Sequence, residues 1–362
     1  MTTPTPQPGI MEIALYQGGR SHLAGVRDVL KLSSNENPLG PPAAAIEALQ
    51  GAAASMHLYP STDHASLRAA IAEVWGLDAD RVICGVGSDE VLQFVTQAYA
   101  GVGDEIIHTA HGFSMYPILT HMCGATPVQV PERDRVVDVD AILGAVTGRT
   151  RVVLLTNPGN PTGTRLADTE IVRLADGLRE DIILVIDGAY TEYAAGYDGG
   201  LALAETRPNV LMTRTFSKIY GLGGLRVGWG YGPRAMIDVM TRIRQPFNLS
   251  VPALAAAEAA VRDIDWRDNC AALNADQRAR LTGALRQHGL ACDDSDTNFV
   301  LARAGSVAEA DAFEAALNAD GILVRRVAGY GFAEGLRITV GDAAQTGRVI
   351  DTLTRWRAED VA

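Results

Sequence analysis

Amine chemistry through an imine needs a lysine, since lysine can lose its proton and arginine cannot. The chain has only two, Lys31 and Lys218, and its other 29 basic side chains are arginines. Lys218 stands in Thr215-Phe216-Ser217-Lys218-Ile219-Tyr220-Gly221-Leu222-Gly223-Gly224-Leu225-Arg226, after an apolar run, flanked by hydroxyls and followed by a glycine-rich loop that leads to arginine. A surface lysine is the plain alternative. In a chain that otherwise uses arginine, its retention here points to chemistry. Thirty-one residues earlier the apolar run 182–186 ends in Asp187, with Tyr190 three residues on. A carboxylate at the end of a buried strand is costly unless it meets a cation or a metal; a helix cap or a structural ion pair is the other reading.

Two glycine-bearing turns complete the set. Residues 154–163 read Leu-Leu-Thr-Asn-Pro-Gly-Asn-Pro-Thr-Gly, with Asn157 and Asn160 each held by a following proline. They lie where a strand would end, the edge at which α/β sheets place ligands, although a rigid loop capping the next helix has the same composition. Gly85-Val86-Gly87-Ser88-Asp89-Glu90 follows another strand and opens a helix. Backbone N–H groups at such a start bind phosphate, and Ser88 or Asp89 also makes an ordinary N-cap.

The elements that must position these groups alternate regularly. Residues 81–86, 105–109, 151–156, 182–187, 210–216 and 227–231 read as buried strands. Between them, residues 66–75 align Leu67, Ile71, Val74 and Trp75, and residues 88–99 align Leu92, Val95 and Tyr99, at helical spacing. Strand then helix, repeated, gives an α/β fold with a mostly parallel sheet covered on both faces. From about residue 251 the texture changes to an alanine-rich helix (252–262), a long helix (267–288), and three strand-like pieces (298–303, 322–327, 336–340) with a helix at 308–319. The expected organisation is an N-terminal arm over residues 1–36, a large domain over 37–250 and a smaller α+β C-terminal domain over 251–362.

Composition narrows the partners. Asp plus Glu outnumber Lys plus Arg by 43 to 31, a net charge of −12, which argues against a nucleic-acid backbone or an anionic membrane surface. No apolar run reaches the roughly 18 residues of a membrane helix. The first eight residues, rich in Thr, Pro and Gln, show no export-signal pattern. Four scattered cysteines, Cys84, Cys123, Cys270 and Cys292, have no metal-site spacing and suggest free thiols and a cytoplasmic location.

Taken in order, Ser-Asp-Glu, NPxNPTG, DxxY and TFSKxxGLxGLRVG resemble the fold-type-I pyridoxal-phosphate aminotransferases. The likeness runs from KLSSNENPLGP in the arm to LRITVG near the end. Within that superfamily the chain is most similar to the histidinol-phosphate aminotransferases of the class II group. The resemblance implies pyridoxal 5′-phosphate as cofactor, Lys218 as the lysine that joins it and then moves the proton between Cα and C4′, and Asp187 as the partner of the ring nitrogen. It implies that Tyr190 and Asn160 bond the phenolic oxygen, that Phe113 stacks on the ring, and that Ser88, Asp89, Thr215, Ser217 and Arg226 hold the phosphate. Tyr59 corresponds to a tyrosine reaching the phosphate in a partner subunit, which implies a homodimer with shared sites. Arg337, with Arg325 and Tyr16, corresponds to the clamp on the substrate's anion.

The implied reaction converts L-histidinol phosphate and 2-oxoglutarate to imidazole-acetol phosphate and glutamate, a step of histidine biosynthesis, with a small-molecule amine and a 2-oxo acid as the only partners besides the second subunit. An aromatic or broad-specificity aminotransferase uses the same machinery, a threonine-phosphate-type decarboxylase the same scaffold, and a non-catalytic ligand-binding module is the remaining alternative. One departure bears on the substrate. The family's PYVPGK-like arm reads Leu15-Tyr16-Gln17-Gly18-Gly19-Arg20 here, keeping the tyrosine but neither proline nor the lysine.

Overall fold

The computed structural model describes residues 4–16, 18–23, 25 and 28–359. Gln17 of the altered arm motif therefore lies outside the described residues, as do the first three residues of the expected arm and the last three of the expected C-terminal domain.

A seven-stranded sheet carries the larger part of the molecule. Its strands lie in the order Val82–Gly85, Gly228–Tyr231, Val210–Thr215, Ile183–Asp187, Thr150–Thr156, Glu105–Thr109, Thr126–Val130. Gly228–Tyr231 runs antiparallel to both of its neighbours, and every other pairing is parallel. The strand at Thr126–Val130 was not legible in the sequence. It is a partly exposed edge strand with Pro127 inside it, and proline is confined to such edges because it cannot donate to a ladder.

The period-two alternation of the strands divides the core into two layers. Ile107, Val153, Leu155, Leu184, Ile186 and Met212 face one side. Ile106, Val152, Leu154, Ile183, Val185 and Leu211 face the other, against Leu92, Val95 and Met240 of the covering helices. Nearly every one of these side chains is fully buried, as strands covered on both faces require.

A second sheet, Ala291–Cys292, Phe299–Arg303, Phe332–Thr339 and Arg325–Val327, is antiparallel and has its own core around Val300, Phe313, Leu336, Ile338 and Leu353. The segment read as one strand at 322–327 is split. Ile322–Leu323 pairs in parallel with Leu30–Lys31 of the arm, while Arg325–Val327 joins the antiparallel sheet. The arm is thus a strand of the smaller domain, and Leu32 is buried in that domain's core.

The alanine-rich helix Val251–Arg262 also departs from the sequence reading, which assigned it to the C-terminal domain. Ala253, Ala256, Ala257, Ala260 and Val261 pack in the larger core. Small side chains let this helix lie close against Ala43–Ala52 and Ala65–Trp75. The long helix Ile264–Gln287 then runs from one core to the other: Cys270 belongs to the first, Leu281 and Leu285 to the second.

Candidate active site

The carboxyl ends of the parallel strands open into a cavity of about 480 Å³. Its walls bring together nearly every residue singled out from the sequence: Tyr16, Ser88, Asp89, Phe113, Asn160, Asp187, Tyr190, Thr215, Ser217, Lys218, Arg226, Arg325 and Arg337. Tyr59 is the exception. It is 82% exposed, its ring lies 4.6 Å from that of Phe247, and it does not line the cavity of its own chain. Lys31 is also elsewhere, paired with Glu36 at 2.6 Å, which leaves Lys218 as the cavity's one lysine.

Lys218 follows the strand Val210–Thr215 and points its amine toward the carbonyl of Ser34 at 3.5 Å. Burial removes water from the ammonium, and the nearby Arg337 guanidinium repels it; together they pull the lysine down to about 8. A base near neutrality is what proton transfer between carbon atoms calls for.

Asp187 ends the central strand Ile183–Asp187 and is 3% exposed. Desolvation pushes its carboxyl up to about 6, against hydrogen bonds from Tyr116 and Thr213 that lower it. Tyr190 Oη accepts a hydrogen bond from Asn35 Nδ2 at 2.9 Å. Asn160 Oδ1 accepts from Arg337 Nη1 at 2.6 Å. The consequence follows from counting protons: an Arg can only donate, so the Asn160 amide oxygen must face it and the amide N–H groups are left over. Tyr190, having accepted, keeps its own proton to give. The two groups therefore offer donors to a shared oxygen acceptor. Both Asn-Pro peptide bonds of the loop that carries Asn160 are cis.

Opposite, the helix Gly87–Tyr99 starts at the cavity wall. Gly87 has φ +76°, and a Cβ there would lie 2.6 Å from Arg226 Nη2; one on Gly228 would lie 2.1 Å from the Ser88 nitrogen. Glycine at both positions lets helix start, strand and arginine meet. Arg226 Nη1 reaches Ser217 Oγ at 3.1 Å, and Nη2 reaches Asp89 Oδ2 at 3.1 Å. The carboxyl of Asp89 is raised by desolvation and lowered by that arginine. Being engaged with Arg226, it orients the guanidinium, and what Asp89 can offer an anion is its backbone N–H. Hydroxyls, helix-start amides and a guanidinium together make a phosphate site.

The remaining wall comes from the smaller domain. Arg325 and Arg337 are direct partners across the antiparallel pair Arg325–Val327 and Phe332–Thr339, so their side chains share a face. Arg337 is 7% exposed, gives Nη2 to the Ser33 carbonyl at 3.1 Å, lies 5.3 Å from the Phe299 ring centroid, and has no partner at Nε. Like charges set opposite one another are costly, and a buried donor left unpaired adds to that cost. An anion in the cavity would ease the repulsion between the two arginines. Tyr16 stands at the mouth, 55% exposed, its phenol raised by desolvation and by Tyr330 and lowered by the two arginines.

Several residues of the site were missed in the sequence: Ser33, Ser34 and Asn35 of the arm and Tyr330, whose hydroxyl bonds Ser114 Oγ at 2.9 Å, line the cavity, and Tyr116 and Thr213 stand behind Asp187. Ser33, Ser34 and Asn35 stand inside the KLSSNENPLGP segment, which is their local signal; Thr213 depends on register between strands, and Tyr116 and Tyr330 on contacts between distant segments.

The chain matches the family described as aminotransferase class I and II over residues 27–353. It is 63% identical over 353 residues to the histidinol-phosphate aminotransferase of Ruegeria pomeroyi, covering 98% of both chains. To the histidinol-phosphate aminotransferase of a Jannaschia species it is 61% identical over 355 residues, covering 98% of this chain and 99% of the other. Among solved structures it superposes on the histidinol-phosphate aminotransferase of Sinorhizobium meliloti in complex with pyridoxal-5′-phosphate, with a TM-score of 0.85, 28% identity and 93% of each chain covered.

Proposed function

The chain belongs to the class I and II aminotransferases, and from that premise we propose that it transfers the amino group of L-histidinol phosphate to 2-oxoglutarate with pyridoxal 5′-phosphate as cofactor, a step of histidine biosynthesis. The observation that carries the substrate is the cross-strand pair Arg325 and Arg337 facing the same cavity as Lys218. Two guanidiniums on one face suit a group with two negative charges, and both amine donors of this reaction bring one: a phosphate ester on the first, the carboxylates on glutamate.

The cavity fits the cofactor by the chemistry of its donors. Arg226, Ser217, Thr215 and the helix start with Ser88 and Asp89 would hold the phosphate. Tyr190 and Asn160, with protons left to give, would hold the phenolic oxygen. Phe113 would lie on the ring, and Asp187 would take the ring nitrogen's proton in a hydrogen bond. When bound, the cofactor supplies an electron sink for the charge left on the amine-bearing carbon. Lys218 would move the proton: its amine, free at moderate pH, would take it from the amine-bearing carbon and hold it for return. Arg337, which lines the cavity, would orient the anion nearest the reacting carbon. Arg325 and Tyr16 meet the more distant charge. The walls contributed by the arm and the smaller domain keep water from the proton in transit.

No helix among the described residues is long and apolar enough to cross a membrane. We place the enzyme in the cytoplasm as a homodimer, with Tyr59 serving the partner's phosphate site; its exposure and its distance from the chain's own cavity support that reading. The large domain is taken to span residues 37–250 together with the helix Val251–Arg262 that packs on it.

An amine screen with 2-oxoglutarate, reading glutamate formation, tests the assignment. Histidinol phosphate should give the highest kcat/KM. Faster glutamate formation from phenylalanine or tyrosine would replace it with an aromatic aminotransferase.

A further inference from the structure

Behind Asp187 lies a hydrogen-bonded row that the proposed mechanism does not use. In the parallel register, Thr156, Asp187 and Thr213 are direct neighbours on three adjacent strands. Thr213 Oγ1 reaches Asp187 Oδ1 at 3.0 Å, and Tyr116 Oη reaches Asp187 Oδ2 at 3.0 Å. Tyr116 also bonds Thr156 Oγ1. It belongs to the helix Met115–Met122, is fully buried, and packs edge-on against Phe113 at 5.9 Å.

The direction of every proton in this row is forced. An ionised carboxylate only accepts, so Thr213 and Tyr116 both donate to Asp187. Tyr116 has one proton and has given it away. In its contact with Thr156 it must therefore be the acceptor, and Thr156 the donor. The chain runs Thr156 to Tyr116 to Asp187, with Thr213 closing from the other side, and all of it ends on the two oxygens of one carboxylate.

Such a row has a consequence for charge. Burial by itself favours the neutral carboxyl, and a neutral carboxyl would offer the ring nitrogen a proton instead of accepting one. Each hydroxyl donor to the oxygens favours the ionised form, and a phenol polarised by a second hydroxyl behind it is the stronger donor. We propose that Tyr116, backed by Thr156, is a positioning residue for the transamination: its hydroxyl holds Asp187 ionised and so keeps the proton on the cofactor's ring nitrogen. This rests on Asp187 being that nitrogen's partner. A phenol that merely fills the core beside Phe113 would have no such effect.

The test uses the holoenzyme reconstituted with pyridoxal phosphate carrying ¹⁵N in its ring, and reads the ¹⁵N resonance, which lies well upfield when the nitrogen is protonated. The unmutated enzyme should show the upfield, protonated position. Asp187→Asn should move the resonance downfield to the neutral position. Tyr116→Phe should move it part of the way downfield, and Thr213→Val should do likewise from the opposite oxygen. Should Tyr116→Phe not fold, Thr156→Val tests the same row one step back, with a smaller downfield shift. If Asp187→Asn moves the resonance while Tyr116→Phe leaves it in place, or Thr156→Val does so where it has to stand in, the proposal is overturned and the reading of Asp187 survives. If Asp187→Asn moves nothing, both fall together.

Discussion

The floor and the rim of the cavity are built on different plans. The floor, with Asp187, Thr213, Thr215 and Lys218, comes from adjacent strand ends of one sheet, and the carboxylate at its centre has a donor on each oxygen. The rim, with Tyr16, Arg325, Tyr330 and Arg337, is assembled from the arm and the smaller domain. It sets Arg325 opposite Arg337 on neighbouring strands and leaves Arg337 Nε without a partner. The floor is finished before any ligand arrives. That difference is in keeping with the proposal that the floor serves a resident cofactor and the rim substrates that come and go.

The comparison breaks first at Arg337. Its replacement by alanine should damage both half-reactions, by roughly 2–5 kcal/mol in kcat/KM, the cost of truncating one partner of a buried charged pair. Stopped-flow traces with each amine donor would check it. Damage confined to one donor would make Arg337 a specificity group and not a common clamp.

A smaller effect is expected on the floor. Because Lys218 is pulled down to about 8, the neutral amine becomes available well below the usual lysine range. The initial rate of cofactor capture by the apoprotein should rise about 50-fold between pH 6 and pH 8 and level off above that, following the neutral fraction. A rise that continues toward pH 10 would show an ordinary, unperturbed lysine.

The smallest effect belongs to Tyr16. Removing its hydroxyl as Tyr16→Phe should cost about 0.5–1.5 kcal/mol, the value of one neutral hydrogen bond, and the cost should fall mainly on KM for the phosphorylated amine. An equal loss with glutamate would mean that the tyrosine serves the carboxylates as well, which would blur the division of labour along the rim.

Floor and rim also differed in how far the sequence revealed them. Lys218, Asp187, Asn160 and the turn at residues 85–90 sit in short stretches punctuated by glycine and proline, and strand-end ligand sites are marked in sequence by just such turns. Thr156 falls in the marked 154–163 stretch, but nothing local marks it, Thr213 or Tyr116 as a neighbour of Asp187. Thr156 and Thr213 stand beside Asp187 because three strands share a register, a property of pairing between distant segments, and Tyr116 reaches it from the helix Met115–Met122. Tyr330 stayed hidden because its bond to Ser114 joins two distant segments of the chain. The edge strand Thr126–Val130 and the helix Val251–Arg262 show the other limit. In both, small or atypical side chains fit their neighbours without a pattern strong enough to announce it.

The pairing of Leu30–Lys31 with Ile322–Leu323 bears on how the protein is made. The first strand emerges from the ribosome about 290 residues before the one it pairs with. At a synthesis rate of ~5–20 residues per second it waits some tens of seconds, while the larger domain can already close around its own sheet. Until then Leu32 has no core to enter, and Asn35, held to Thr339 through its backbone N–H, is not yet fixed against Tyr190. The nascent chain therefore completes the lysine-bearing sheet early and the arm's side of the cavity last, so that the rim is the final part of the site to be assembled.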